Sequence, residues 1–181
     1  MKTNVKLSLA RCFLFFVLYS IIGWIYEVFL EVVVYRWGFS NRGVLFGPYC
    51  VIYGVGALIL IFALGRLQHT PIRIGKVSIT PVLVFFGIVL LTTALELLGS
   101  YIMEFTHGGW LWDYHRYALN FQGRIALNPS IRFGIGGMVF LYVLQPLFEK
   151  LADRLPRRVL CLISGVLAIL MAADCIYTFL L

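Results

Sequence analysis

Long apolar runs at about residues 9–35, 48–65, 79–105, 130–149 and 158–181 alternate with short segments rich in charge, glycine and proline. A bilayer core takes about 20 apolar residues as a helix, so this pattern predicts an all-α membrane protein with about five transmembrane helices. The expected organisation is one transmembrane domain over residues 1–181. The first run contains Glu27 and Glu31, exceeds a signal-peptide core in length and is followed by no small-residue cleavage site. It is expected to remain in the mature chain as a span.

Composition strengthens this reading: 61% of the residues are hydrophobic and 13% charged, with a mean hydropathy of +0.93. Little chain remains for a soluble domain. The net charge of +7 sits in short segments that flank apolar runs rather than along one polar face, which argues against nucleic acid and for membrane topology. Lys2, Lys6 and Arg11 precede the first span, Arg66, Arg73 and Lys76 lie in the second connection, and Lys150, Arg154, Arg157 and Arg158 lie in the fourth. With five crossings these share one side, and the positive-inside rule makes it the cytoplasm. The N-terminus is then expected inside and the C-terminus outside, with residues 42–56 facing outward.

The connections differ in kind. Segments 66–78 and 149–158 are basic, proline-marked and expected to be inner turns, whereas 106–128 is aromatic, glycine-rich and too long for a simple turn. The stretch RGVLFGPYCVIYGVG (Arg42 to Gly56) lies over GRIALNPSIRFGIG (Gly123 to Gly136) with one deletion, and each opens a span that follows a glutamate-bearing span. This predicts a parallel tandem repeat of helix, loop and helix over 9–65 and 79–149, with the helix 158–181 appended. Parallel repeats related by an axis along the membrane normal are one transporter plan.

Carboxylates inside spans are the main candidate chemistry. Glu27, Glu96 and Asp174 each lie about 15 to 18 residues from the inner end of their span, one layer roughly two-thirds of the way across at about 1.5 Å per residue. Such groups face a bundle interior or a water-filled cavity and find partners. Glu31 shares a helical face with Glu27 at four-residue spacing, and Glu104 follows Glu96 by two turns. Arg42, Arg124 and Arg132 lie at the same outer level as counter-charges, and Tyr49, Tyr53, Asp113 and Asn120 complete the expected rim. A metal cation, a proton or an organic cation suits the acids, an anionic group suits the arginines, and a zwitterion suits both; no ligand-specific motif chooses among them. The alternative is that the acids only pair with arginines and fix helix register.

In WLWDYHRY (Trp110 to Tyr117), Asp113 and His115 form a potential acid–base pair or metal-ligand pair, against the plainer reading of an aromatic belt at headgroup level. The four cysteines have no metal or redox spacing and read as packing residues. No phosphate-binding loop, Gly-x-Ser-x-Gly or His-Glu-x-x-His motif is present. The sequence assigns no catalytic residue and no cofactor, and ATP-driven work would need a separate subunit docked on the inner turns.

YSIIGWIYE (Tyr19 to Glu27), RGVLFGPYCVIYGVG, the Glu96 helix, WLWDY and NFQGRIAL (Asn120 to Leu127) occur in the order that resembles the CmpB-type ABC-transporter permease family of small bacterial membrane proteins. Val51 and His115 depart from that pattern, which often has Pro and Ser there. The resemblance implies a multi-pass permease or transporter component of the bacterial inner membrane, in contact with lipid and with a separate ATP-binding subunit; five helices are few for a closed path, so a homo-oligomer is also expected. Its outward-facing polar site would take a small ion or small molecule. A membrane-embedded enzyme acting on a lipid or small-molecule headgroup, and a non-catalytic accessory or sensor subunit, are the competing readings.

Overall fold

A computed structural model describes residues 8–110 and 112–180 of the chain, without the side chain of His107. Lys2 and Lys6, Leu111 of the WLWDY element and Leu181 of the last predicted span lie outside the described residues. Helix α1 covers Leu9–Phe29 and continues through a π turn at Leu30–Val34; α2 covers Val51–Gln68 and α3 Thr80–His107. Helix α4 covers Leu127–Val139, passes through a second π turn at Phe140–Leu144 and runs on as α5 over Gln145–Arg154; α6 covers Arg157–Leu180. Five of these runs, Leu9–Val34, Val51–Gln68, Thr80–Thr106, Leu127–Arg154 and Arg157–Leu180, are long and apolar enough to cross a membrane. Large apolar side chains point away from the protein, as with Leu90 at 71% and Ile169 at 71% exposure. That inside-out distribution suits lipid as the solvent.

The expected spans are thus present, with two local differences. The segment expected to turn at 149–158 is helical as far as Arg154, and the chain turns only at Leu155 and Pro156. Leu155 donates its N–H to the Ala152 carbonyl at 3.2 Å, and Pro156, which cannot continue a helix, directly precedes α6. The connection 66–78 holds a two-stranded hairpin, β1 (Arg73–Ile74) against β2 (Val77–Ser78), in which Ile74 pairs with Val77 across Gly75–Lys76. Gly75 takes φ +60° there, a conformation open to glycine without strain.

The chain divides into two compact units, residues 1–59 with 147–181, and residues 60–146. In the first, Tyr19 is fully buried and meets the Phe148 ring edge-on at 5.0 Å. Arg11, 8% exposed, holds Asp153 at 2.5 Å and lies over the Phe15 ring at 5.5 Å, while the Ser164 hydroxyl donates to the Ala10 carbonyl at 2.8 Å. α1 is thereby tied to α5 and α6. On its other side, Gly54 of α2 meets Phe16 and Ser20 so closely that an added Cβ would lie 2.5 Å from the Phe16 carbonyl oxygen.

In the second unit α3 packs on α4. Gly134 meets Phe85 and Val89, Gly137 meets Ile88, and Thr93 donates to the Ser130 hydroxyl at 2.8 Å. Small residues let membrane helices approach closely enough for dispersion and hydrogen bonding to hold them. Pro146 has no N–H, which removes the donor that a π-type register would aim at the Leu141 carbonyl. The Gln68 side-chain amide fills that place at 2.7 Å.

Gly54→Ala should force α1 and α2 apart and lower stability by about 1–3 kcal/mol, whereas Gly56→Ala, with open space around its Cβ position, should be neutral or slightly stabilising. Thermal unfolding midpoints of the two variants in detergent check this; equal midpoints would refute the close-packing account.

Candidate functional site

The sequence-derived site residues fall into two groups, one in each unit. In the first unit the Tyr53 hydroxyl donates to Glu27, from α2 to α1. Gly23 makes this bond sterically feasible, because a side chain there would occupy the volume of the Tyr53 ring. Glu31, 7% exposed, sits in the π turn and accepts from the Ser40 hydroxyl at 2.7 Å and the Ser40 N–H at 3.2 Å, with the Arg42 guanidinium at 3.7 Å.

Asp174 of α6 is bonded by the loop between α1 and α2 and by Thr178 of its own helix. It accepts the N–H groups of Phe46 at 3.0 Å and Gly47 at 2.8 Å, the Tyr49 hydroxyl, and the Thr178 hydroxyl at 3.1 Å. Burial first, and then the bond to Asp174, push the Tyr49 phenol up, so Tyr49 stays a donor. Asn41 shapes the same loop: its amide donates to the carbonyls of Leu45 and Phe46, both at 3.0 Å, and its oxygen accepts the Trp24 indole N–H at 2.7 Å. An open groove of about 380 Å³ lies beside it, lined by the 43–46 segment, Asn41, Tyr177 and Thr178. Burial also raises Cys50, seconded by the Glu27 charge and opposed by Arg42.

In the second unit Glu96 accepts the Tyr114 hydroxyl at 2.7 Å through Oε1, while its Oε2 is buried with no hydrogen-bond partner. Arg124, 5% exposed, pairs with Glu104 at 2.5 Å, reaches the Ser100 hydroxyl at 3.3 Å, and lies 3.9 Å from the Trp110 ring centre and 4.2 Å from that of Tyr101. Two aromatic faces on a desolvated guanidinium are worth about 2 kcal/mol or more. Trp112 donates to the Arg124 carbonyl at 2.7 Å, and Asn120 braces the adjoining hairpin, β3 (Asn120–Phe121) and β4 (Ile125–Ala126), by bonding the Tyr117 carbonyl at 2.7 Å and the Gly123 N–H at 3.0 Å.

Asp113 and His115 meet on the exposed surface, His115 Nδ1 lying 2.6 Å from Asp113 Oδ1 with the His115 N–H at 2.9 Å. Those His115 contacts hold the Asp113 carboxyl below the usual aspartate range. Gly123, at φ +67°, leaves room for the pair. Arg132 lies exposed on α4 and makes no ion pair among the described residues.

The arginines therefore neutralise Glu31 and Glu104, while hydroxyl or backbone donors bond Glu27, Asp174 and one of the two Glu96 oxygens. Sequence reasoning passed over Asn41, Ser40 and Trp110, and it read Tyr114 only as part of an aromatic belt. The signal for Tyr114 lay in its place within WLWDYHRY, but only the returning loop brings it to Glu96. Among the described residues no three of His, Cys, Asp and Glu gather to hold a metal ion.

Five apolar helices with hydrogen-bonded acids inside the spans define a multi-pass membrane protein. Residues 14–179 match the family model ABC_trans_CmpB, described as "Putative ABC-transporter type IV", and the chain belongs to that family. Neither a search of curated proteins nor one of solved structures gives a match.

Asp174→Asn removes charge from the cluster that orders the loop, and each stranded amide costs about 1–3 kcal/mol. Hydrogen exchange at residues 43–49 should rise at least several-fold in that variant while exchange in α3 stays unchanged; an unaltered loop would show that Asp174 does not hold it. On the surface pair, His115→Ala should raise the Asp113 titration only part of the way toward the ordinary value of about 3.9, readable by NMR, because the imidazole contact is lost while the backbone N–H of residue 115 still donates to Asp113. Because its folded-state value is lowered, the interaction is present above the ordinary aspartate range and is lost as pH falls through the lower value.

Proposed function

We propose that the chain is a permease or transporter component of the bacterial inner membrane, with its N-terminus inside and its C-terminus outside. Its polar groups serve a small ion or small molecule on the outward side. The observation that carries this reading is that Glu27 and Glu96, inside spans, are held by tyrosine hydroxyls rather than neutralised by the arginines of their own unit. Acids kept only to fix helix register would be better matched by cations, because an uncompensated charge in hydrocarbon is costly.

A parallel repeat supports the same plan. Phe16, Ser20, Glu27 and Glu31 of the first span region correspond to Phe85, Val89, Glu96 and Ser100 of α3 by one shift of 69 positions. Gly54 packs on the first two of one set and Gly134 on the first two of the other. Arg42 approaches Glu31, and Arg124 reaches Ser100. Matching internal contacts in both halves favour a duplicated helix–loop–helix, as in transporters built from parallel repeats.

The family description favours a separate ATP-binding subunit. The hairpin at 73–78 offers it a surface, since Ile74 and Val77 are 69% and 67% exposed on the element that also carries Arg73 and Lys76. The Asp113–His115 pair favours one second reading, an enzyme acting on a headgroup, because Asp113 fixes Nδ1 and leaves Nε2 available.

In lipid vesicles carrying the chain with its ATP-binding subunit, uptake from a panel of metal cations, amines and amino acids should fall to background in Glu27→Gln and in Glu96→Gln, with unfolding midpoints retained. Normal uptake in both variants would overturn the reading. Arg73→Glu with Lys76→Glu should abolish co-purification of the ATP-binding subunit. Headgroup turnover by the pure chain, lost in His115→Ala, would establish the enzyme reading instead.

A further inference from the structure

We propose that Glu96 is a proton-binding site and that near neutral pH it carries a proton on Oε2. The inference deepens the permease reading by naming the proton as one ligand of its polar groups, and it rests on that reading for its biological meaning. Its physical basis is local. An ionised carboxylate only accepts hydrogen bonds, through two oxygens. Oε1 of Glu96 has its donor in Tyr114 at 2.7 Å. Oε2 is shut away without one, and it is the only carboxylate oxygen in that condition among the described residues. A bare anionic oxygen in hydrocarbon is unfavourable, and such groups neutralise where no cation reaches them.

No charged or donating group among the described residues bonds Oε2, and this includes the Arg124 Nε, which is itself buried without a partner. On α3, the Thr92 hydroxyl donates to the Ile88 carbonyl at 2.8 Å, that of Thr93 to Ser130 at 2.8 Å, and that of Ser100 to the Leu97 carbonyl at 2.7 Å. From the loop, Arg124 is held by Glu104 and Ser100 between Trp110 and Tyr101, and Arg116 lies against the Tyr117 ring at 5.0 Å. Asp113 and His115 engage each other at 2.6 Å. From α4, Arg132 is exposed and makes no ion pair among the described residues. A proton removes the charge on Oε2 and needs no further space, whereas a hydrated cation cannot enter a closed position. The step is simple: hydronium gives its proton to Glu96 and leaves as water, and release reverses this. Tyr114 is a positioning residue. It fixes Oε1 and lies in the half-exposed loop, between residues 113 and 115 that reach solvent.

Infrared spectra of the full chain in phosphatidylcholine vesicles, recorded across a pH titration, test this. The expected result is a carbonyl band of a neutral carboxylic acid near neutral pH, shifted in heavy water, lost in Glu96→Gln and retained in Glu27→Gln. Tyr114→Phe should move that band to higher frequency by removing its hydrogen bond, and this second variant keeps the carboxyl itself. A wild-type spectrum with no such band near neutral pH, or a band that survives Glu96→Gln and is unmoved by Tyr114→Phe, would overturn the proposal. The permease reading fails separately: a Glu96 band with uptake indifferent to Glu27 and Glu96 removes transport and leaves the proton site. Uptake that depends on both acids without the band does the reverse.

Discussion

A polar group inside hydrocarbon has no water to turn to, and each one in this chain must find its partner within the protein. The carbonyl of Leu141, left without a donor by Pro146, takes the Gln68 amide. Asp174 draws in two loop N–H groups and two hydroxyls, which gives the 42–50 segment its shape. Glu31 does the same with Ser40, and Arg124 is closed off by one carboxylate, one hydroxyl and two aromatic faces. Loops that would be free in water are here fastened to spans by the requirements of buried atoms.

Close helix approach makes those bonds reachable. Gly23 admits the Tyr53 ring and so the bond to Glu27, and Gly54 sets α2 against Phe16 and Ser20. Gly134 and Gly137 bring α4 onto α3, where Thr93 can reach Ser130. Van der Waals contact is the main attraction between helices when the solvent is as apolar as their side chains. A glycine in such a seam therefore affects both packing and polar satisfaction.

Against this background the Glu96 carboxyl stands out because its partners stop at one. Arg124, the buried arginine of the same unit, is spent on Glu104 and Ser100. Asp174, which the sequence placed with Glu96 as a site acid, accepts hydrogen bonds from two loop N–H groups and two hydroxyls. Acids of similar appearance in the sequence thus have different chemistry available to them.

The number of spans, their approximate limits and the family were legible in the sequence, because apolar run length is set by bilayer thickness and each run needs only its own residues to be recognised. The candidate residues were legible for a similar reason, since any carboxylate or arginine inside or beside a span is conspicuous. The continuation of helix to Arg154 was not, because basic residues mark a membrane boundary without ending a helix. Nor were the partnerships: that Tyr114 and not Arg124 meets Glu96, that Asn41 organises its loop, or that Gln68 serves Leu141 depends on contacts between residues far apart in the chain. The sequence by itself determined which groups would enter the membrane. Only the tertiary structure decided which were satisfied there, because hydrogen-bond partners are selected by ångström-scale approach between separate elements rather than by spacing along one.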